Sequence, residues 1–157
     1  VNIDQARARF HELRVQQADV SPADLDAVWA ALDTVGAAEI LGTWRGDDFA
    51  TGHRLHDKLV AGRWYGKQFD SVLDAKPLIC RDEDGNLFSD IKAGNGEASL
   101  WNVEFRGEVT ATMVYDGAPI FDHFKRVDAD TLMGIMNGKP KLVLDGGSHY
   151  YFLLERA

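Results

Sequence analysis

The most chemically loaded stretch of the chain is Ile120-Phe121-Asp122-His123-Phe124-Lys125. Read as a strand, it puts Asp122 on the face of Ile120 and Phe124, and His123 on the face of Phe121 and Lys125. A carboxylate between two apolar neighbours needs a partner if it is buried. Asp122 therefore reads as a polar anchor in the wall of an apolar cavity, as half of an internal pair with Arg54 or Arg63, or as an exposed residue. His123 is a candidate general base, because imidazole changes charge near neutral pH. His53 and His56 form a second group, three residues apart with Asp57 adjacent. A zinc site needs three or four such ligands. His11, His123 and His149 stand at no diagnostic spacing, so no metal is expected, and His53 reads as a hydrogen-bonding group at a cavity mouth. Cys80 is the only cysteine, which excludes an intrachain disulfide. It lies in a strand-like run with no helix N-terminus or base beside it, and reads as a buried, inert thiol. Asp82-Glu83-Asp84-Gly85 superficially resembles a calcium loop, but its spacing is wrong and a hairpin turn explains it. Neither a Gly-rich phosphate loop nor a Gly-X-Ser-X-Gly elbow occurs.

The elements that must carry these residues are mostly strands. From residue 75 onward turn signals recur at short intervals, among them Asp84-Gly85-Asn86, Gly94-Asn95-Gly96, Asp116-Gly117 and Asp145-Gly146-Gly147. They separate candidate strands over residues 76–81, 87–92, 99–106, 108–115, 120–127, 131–137 and 149–156. One more strand is expected around Leu41-Gly42-Thr43-Trp44-Arg45-Gly46, where glycines bracket a tryptophan. Glycine inside a strand marks close backbone approach or a bend, and Trp44 is expected to plug one end of a barrel. That makes about eight strands, enough to close a small antiparallel barrel that holds a ligand. Before it, Ile3, Ala6, Phe10 and Leu13 recur at helical spacing. A second helix starts at Ser21-Pro22-Ala23-Asp24, with Ser21 as cap, and carries Leu25, Val28, Trp29 and Leu32 on one stripe. A short helix ending at Gly62 follows the Trp44 strand. The chain is thus expected to be mainly β, with a helical extension over residues 1–35 and a barrel domain over 36–157.

Alternation assigns faces. Trp101, Val103 and Phe105 share one face of their strand, and Val109, Ala111, Met113 and Tyr115 one face of the next. The strand over 149–156 is apolar on both faces, with Tyr150, Phe152 and Leu154 opposing Tyr151 and Leu153. Its outside is expected to be covered by the N-terminal helices or by another subunit, so self-covering and a homodimer are the two expectations. The formal net charge of −8 over 157 residues disfavours phosphate backbones and anionic headgroups as partners. No apolar run approaches the length of a membrane span, and the N-terminus lacks the regions of a signal peptide, so membrane insertion is not expected and a cytoplasmic location is.

Gly42-Thr43-Trp44-Arg45-Gly46 matches the name-giving motif of the GXWXG protein family. The blocks Ile120–Lys125, Leu132-Met133-Gly134-Ile135-Met136 and Tyr151–Arg156 resemble the domain of unknown function attached to it. The resemblance covers about residues 36–157, as a GXWXG half over 36–96 and a second half over 97–157, and implies no activity. A looser likeness is to lipocalins and other calycin barrels, in which a Gly-X-Trp near the first strand packs its indole against an arginine from the last. Here Trp44 and Arg156 stand at corresponding ends, although the helix after Trp44 interrupts an up-and-down order. The calycin likeness implies binding of small hydrophobic molecules. The expected ligand site is a cavity reached near Gly46–Gly66, with Trp44, His53, Trp64, Tyr65, Trp101, Phe105, Met113 and Tyr115 as contacts and Asp122 and His123 at its polar end. The alternative is a cofactor-free isomerase or hydrolase using His123 with Asp122 or His53. Neither reading implies a cofactor.

Overall fold

The computed structural model describes all 157 residues. Helix α1 (Ile3–Val15) is opened by Asn2, whose side chain accepts from the Gln5 amide while the Gln5 side chain accepts from the Asn2 amide. This reciprocal pairing satisfies two amides that a helix start leaves free. Helix α2 (Pro22–Ala31) has Pro22 in its first turn, and Ser21 makes no side-chain cap. After the two-residue strand β1 (Asp33–Thr34) and a 3-10 turn over Ala37–Ile40, the chain becomes a meander. Its strands are β2 (Gly42–Asp48), β3 (Trp64–Ser71), β4 (Asp74–Arg81), β5 (Leu87–Ser89), β6 (Ala98–Phe105), β7 (Glu108–Tyr115), β8 (Ile120–Asp128), β9 (Thr131–Gly138) and β10 (Tyr150–Arg156). Short helices α3 (Leu55–Ala61), α4 (Ile91–Gly94) and α5 (Pro140–Val143) sit in its connections.

Eight antiparallel strands pair in a closed ring, in the order β2-β3-β4-β6-β7-β8-β9-β10 and back to β2. The expected number of strands is correct, but one member differs. The segment 87–92 gives only β5, which pairs with β4 off the ring, and then turns into α4. Its place is taken by β3, whose register shifts at Trp64/Gly66 and Gly66/Gln68 hide the two-residue period. The helix between β2 and β3 does not interrupt the up-and-down order either, because it lies within one connection.

The ring has a core on each side of its wall. Inside, Trp44, Phe69, Leu100, Met113, Phe124 and Phe152 belong to one cluster of 16 buried residues. Outside, Phe10, Leu13, Leu25 and Trp29 of the helices meet Met133, Ile135, Tyr151 and Leu153 in a second cluster of 14. Strand β10 serves both: Tyr150, Phe152 and Leu154 look inward, while Tyr151 and Leu153 look outward. The helices of the same chain therefore cover the outer apolar face of β10, and that face needs no second subunit. Buried Lys125 ties the layers together, donating to the Trp29 carbonyl at 3.0 Å and pairing with Glu108 at 2.5 Å.

A candidate ligand cavity

The glycine-tryptophan motif shapes the ring interior by strand parity. Gly42, Trp44 and Gly46 recur every second residue of β2, so they share a face. Trp44 is 1% exposed, donates its indole N–H to the Ile40 carbonyl at 2.9 Å, and lies under the Arg156 guanidinium at 4.3 Å. A Cβ on Gly42 would stand 3.0 Å from that guanidinium, and one on Gly46 would stand 2.1 Å from the Trp64 indole. The motif is thus one large side chain between two positions kept empty for an arginine of β10 and a tryptophan of β3. The first contact closes one end of the ring, together with Val35, Ala37 and Ile40. The expected indole–arginine stack is present.

At the other end the interior opens into a cavity of about 330 Å³. Of its 20 lining residues 13 are hydrophobic, which makes it an apolar site with a few polar groups. Leu55 and Leu59 of α3, Ala93 of α4 and Leu142 roof it. Trp64, Leu78, Ile120, Met136, Tyr150 and Phe152 form walls. The roof is held by the residues before α3. His53 Nδ1 accepts from the Leu55 amide, which leaves the proton on Nε2 to donate to the Val143 carbonyl at 3.0 Å. The Arg54 side chain donates to the carbonyls of Lys141, Leu142 and Leu144. Burial lowers the His53 pKa, which favours this neutral ring.

The polar floor of the cavity is an ion pair. Lys67 and Asp122, 3% and 2% exposed, meet at 3.0 Å. Lys67 also donates to the Pro77 carbonyl at 3.3 Å, and its ammonium stands 5.4 to 5.9 Å from the ring centres of Phe152, Trp64 and Tyr115. Three aromatic rings and a carboxylate thus surround the ammonium. Burial raises the Asp122 pKa, and the neighbouring ammonium opposes this. Asp122 Oδ1 is buried without a protein donor. Burial pushes Tyr115 well above its ordinary range, aided by Asp122. Tyr150 is raised too, by burial and by Asp48, to which its hydroxyl donates at 2.7 Å. The Cys80 thiol lines the same cavity and is raised by burial and then by Asp90.

Of the residues expected to form the site, Trp64, Tyr115 and Asp122 line this cavity. Trp44 plugs the opposite end, and Met113 is fully buried in the inner core. His53 holds the roof from behind. Tyr65 lies under Arg81 in an open groove outside the ring, of about 440 Å³. Trp101 is half exposed, and Phe105 packs on the outer cluster, because Leu100 rather than Trp101 takes the inward parity of β6. His123 also lies outside the ring: adjacent strand residues point to opposite faces, so Asp122 and His123 form no catalytic pair. His123 is 1% exposed and stacks on Phe105 at 4.0 Å. With its proton on Nδ1 it donates to Thr112 Oγ1 at 2.8 Å, and Nε2 accepts from Asn137 at 3.1 Å. Burial lowers its pKa to about 4, with His149 and Arg106 adding to the shift. It is a neutral structural residue. A histidine–carboxylate contact does occur between His56 and Asp48 at 2.8 Å, but that histidine is half exposed and outside the cavity lining. No three His, Cys, Asp or Glu side chains gather as a possible metal site.

Sequence reading missed Lys67, the cation of the floor. Its signal was the demand of Asp122 for a partner, which was directed to Arg54 and Arg63 instead. Arg54 holds the α5 turn, and Arg63 donates to the Asp82 carbonyl.

Comparison with known proteins agrees with this architecture. The family described as GXWXG protein matches residues 27–85, and a domain of unknown function, DUF4334, matches residues 96–156. A crystal structure of a protein from Thermomonospora curvata is 35% identical, covers 98% of this chain and 99% of its own, and superposes with a TM-score of 0.86. No curated protein matches. No helix is long and apolar enough to cross a membrane. With both blocks in order and a relative matched along nearly its whole length, the chain belongs to the GXWXG family and carries the DUF4334 domain as its C-terminal half.

Proposed function

We propose that this protein binds a small, mainly apolar molecule inside the ring. The observation that carries the proposal is the cavity of about 330 Å³, apolar in 13 of 20 lining residues and floored by the Lys67–Asp122 pair. A solid core of this size has no need to bury an ion pair, since well-packed apolar residues of similar volume are commonly as stable. The aromatic walls Trp64, Tyr150 and Phe152 suit flat or aliphatic ligands equally. The Trp44–Arg156 stack supports the calycin-like aspect of the reading, because it packs an arginine of the last strand on the motif tryptophan, away from the cavity.

The test is titration with N-phenyl-1-naphthylamine, a neutral dye that fluoresces in apolar surroundings. Saturable binding is expected for the wild type. Leu78→Trp, which fills the cavity from β4, should weaken it at least about tenfold, whereas Trp101→Ala on the outer face should leave it unchanged. Absence of saturable binding, or equal binding to the Leu78→Trp variant, would remove the proposal.

A further inference from the structure

The floor of the cavity has hydrogen-bonding capacity left over, and the two halves of that capacity differ in sign. Asp122 is 2% exposed and lines the cavity; one oxygen is taken by Lys67, and Oδ1 has no protein donor. An ionised carboxylate accepts several bonds, so Asp122 can accept at least one more. Lys67 also lines the cavity, and its ammonium carries three N–H groups. Two of them are accounted for by Asp122 Oδ2 and the Pro77 carbonyl. One unused donor and one unused acceptor therefore belong to the two paired residues that floor an apolar cavity.

From this we infer that the ligand carries a hydroxyl group, alcohol or phenol, on its apolar body, with the oxygen accepting from Lys67 and the O–H donating to Asp122. The inference rests on the binding function proposed above. Carbonyl, ether, carboxylate and ammonium head groups each meet only half of the floor. A ketone, ester or ether accepts from Lys67 but offers Asp122 nothing. A carboxylate competes with Asp122 for Lys67 and adds a second negative charge to a site where burial already penalises one. An amine in its ammonium form satisfies Asp122 but places a second cation beside Lys67. A hydroxyl donates and accepts from one atom without adding charge, and unlike an aliphatic amine it stays uncharged near neutral pH. Hydrogen bonds to ionised groups are the stronger kind, so the head group supplies orientation while the apolar walls supply bulk affinity. The rings of Trp64, Tyr115 and Phe152 stand around the Lys67 ammonium, so the apolar part of a ligand and its head group meet at the same place.

The experiment is competition against bound N-phenyl-1-naphthylamine by decan-1-ol, its methyl ether, decanoate and decylamine. The ether keeps the acceptor and lacks the donor. The alcohol is expected to displace the dye at least about tenfold more effectively than any of the other three. In the double variant Lys67→Met with Asp122→Leu, alcohol and ether should compete equally. If the dye binds saturably but alcohol and ether compete equally in the wild type, the hydroxyl inference is overturned and the binding function stands. Preference for decanoate or decylamine overturns it as well. If the dye does not bind saturably, the binding function itself fails. The wild-type comparison decides the matter even where the double variant does not fold. A second wild-type measurement, NMR of the Lys67 Nζ and Asp122 Cγ resonances, should show both shifting with the alcohol, and movement of neither overturns the inference.

Discussion

Lys67 and Asp122 can be separated by mutation from the histidine next door, because the pair and His123 lie on opposite sides of the ring wall. Lys67→Met alone leaves a buried carboxylate without its cation and is expected to cost about 3–5 kcal/mol in urea unfolding. The double variant with Asp122→Leu should recover most of that loss, since both charges go together. For His123 the sign runs the other way from an ordinary ion-paired histidine. Its folded pKa is about 4, below the unfolded value near 6.5, so the unfolded chain binds the extra proton first. Its neutral form contributes stability that is complete above about pH 6.5 and is lost as pH falls toward 4, by an amount on the order of 3 kcal/mol. His123→Gln should therefore flatten the decline in melting temperature between pH 7 and pH 5; an unchanged slope would show that other groups set it. Sequence alone found the Asp122 and His123 parity and assigned both to one site all the same. Parity tells which residues share a face, and it does not tell which face is inside. In β6 the aromatic Trp101 and Phe105 invite an inward reading, yet the smaller Leu100 takes that place. Lys67 escaped notice because the register shifts of β3 erase the alternation that would have set it opposite Asp122.

At the scale of elements, the glycine-tryptophan strand joins the two ends of the ring interior. Trp44→Ala should cost about 3–5 kcal/mol, as large core truncations do, and leave dye affinity within about twofold, because Trp44 lies away from the cavity. Unchanged thermal stability would show that the stack on Arg156 closes nothing. Gly46→Ala should do the reverse in emphasis. The added methyl displaces the Trp64 indole, a cavity wall, and is expected to cost about 1–3 kcal/mol and to weaken dye binding measurably. Gly134 does for Phe152 what Gly46 does for Trp64, since a Cβ there would stand 2.4 Å from the ring. The strands β6 to β10 were legible within a residue or two, because tight turns and clean alternation agree there. β3 and β5 were exchanged, because glycine, aromatics and bulges left the first without a period while Leu87–Lys92 had a plausible one.

On the scale of the whole molecule, two helices and an eight-stranded ring form a single folded unit through a shared wall. The helices bury Phe10, Leu13, Leu25 and Trp29 against the outside of β8 to β10, so their removal exposes Met133, Ile135, Tyr151 and Leu153. A chain lacking residues 1–31 is expected to aggregate on size-exclusion chromatography; one that elutes as the intact protein does would show the cover to be dispensable. Every neighbour pair in the ring is also close in sequence except one, the pairing of β2 with β10. That seam has a consequence for the chain as it is made. A ribosome releases the N-terminal helices and β2 first, yet the strand that meets them both has not been synthesised. Until residues 150–156 emerge, β2 and β9 are open edges, the inner core lacks Phe152 and Leu154, and the outer one lacks Tyr151 and Leu153. Exposed apolar surface and unpaired strand edges are what make partly folded chains prone to aggregate. Only when β10 arrives can both cores close, over one seven-residue strand.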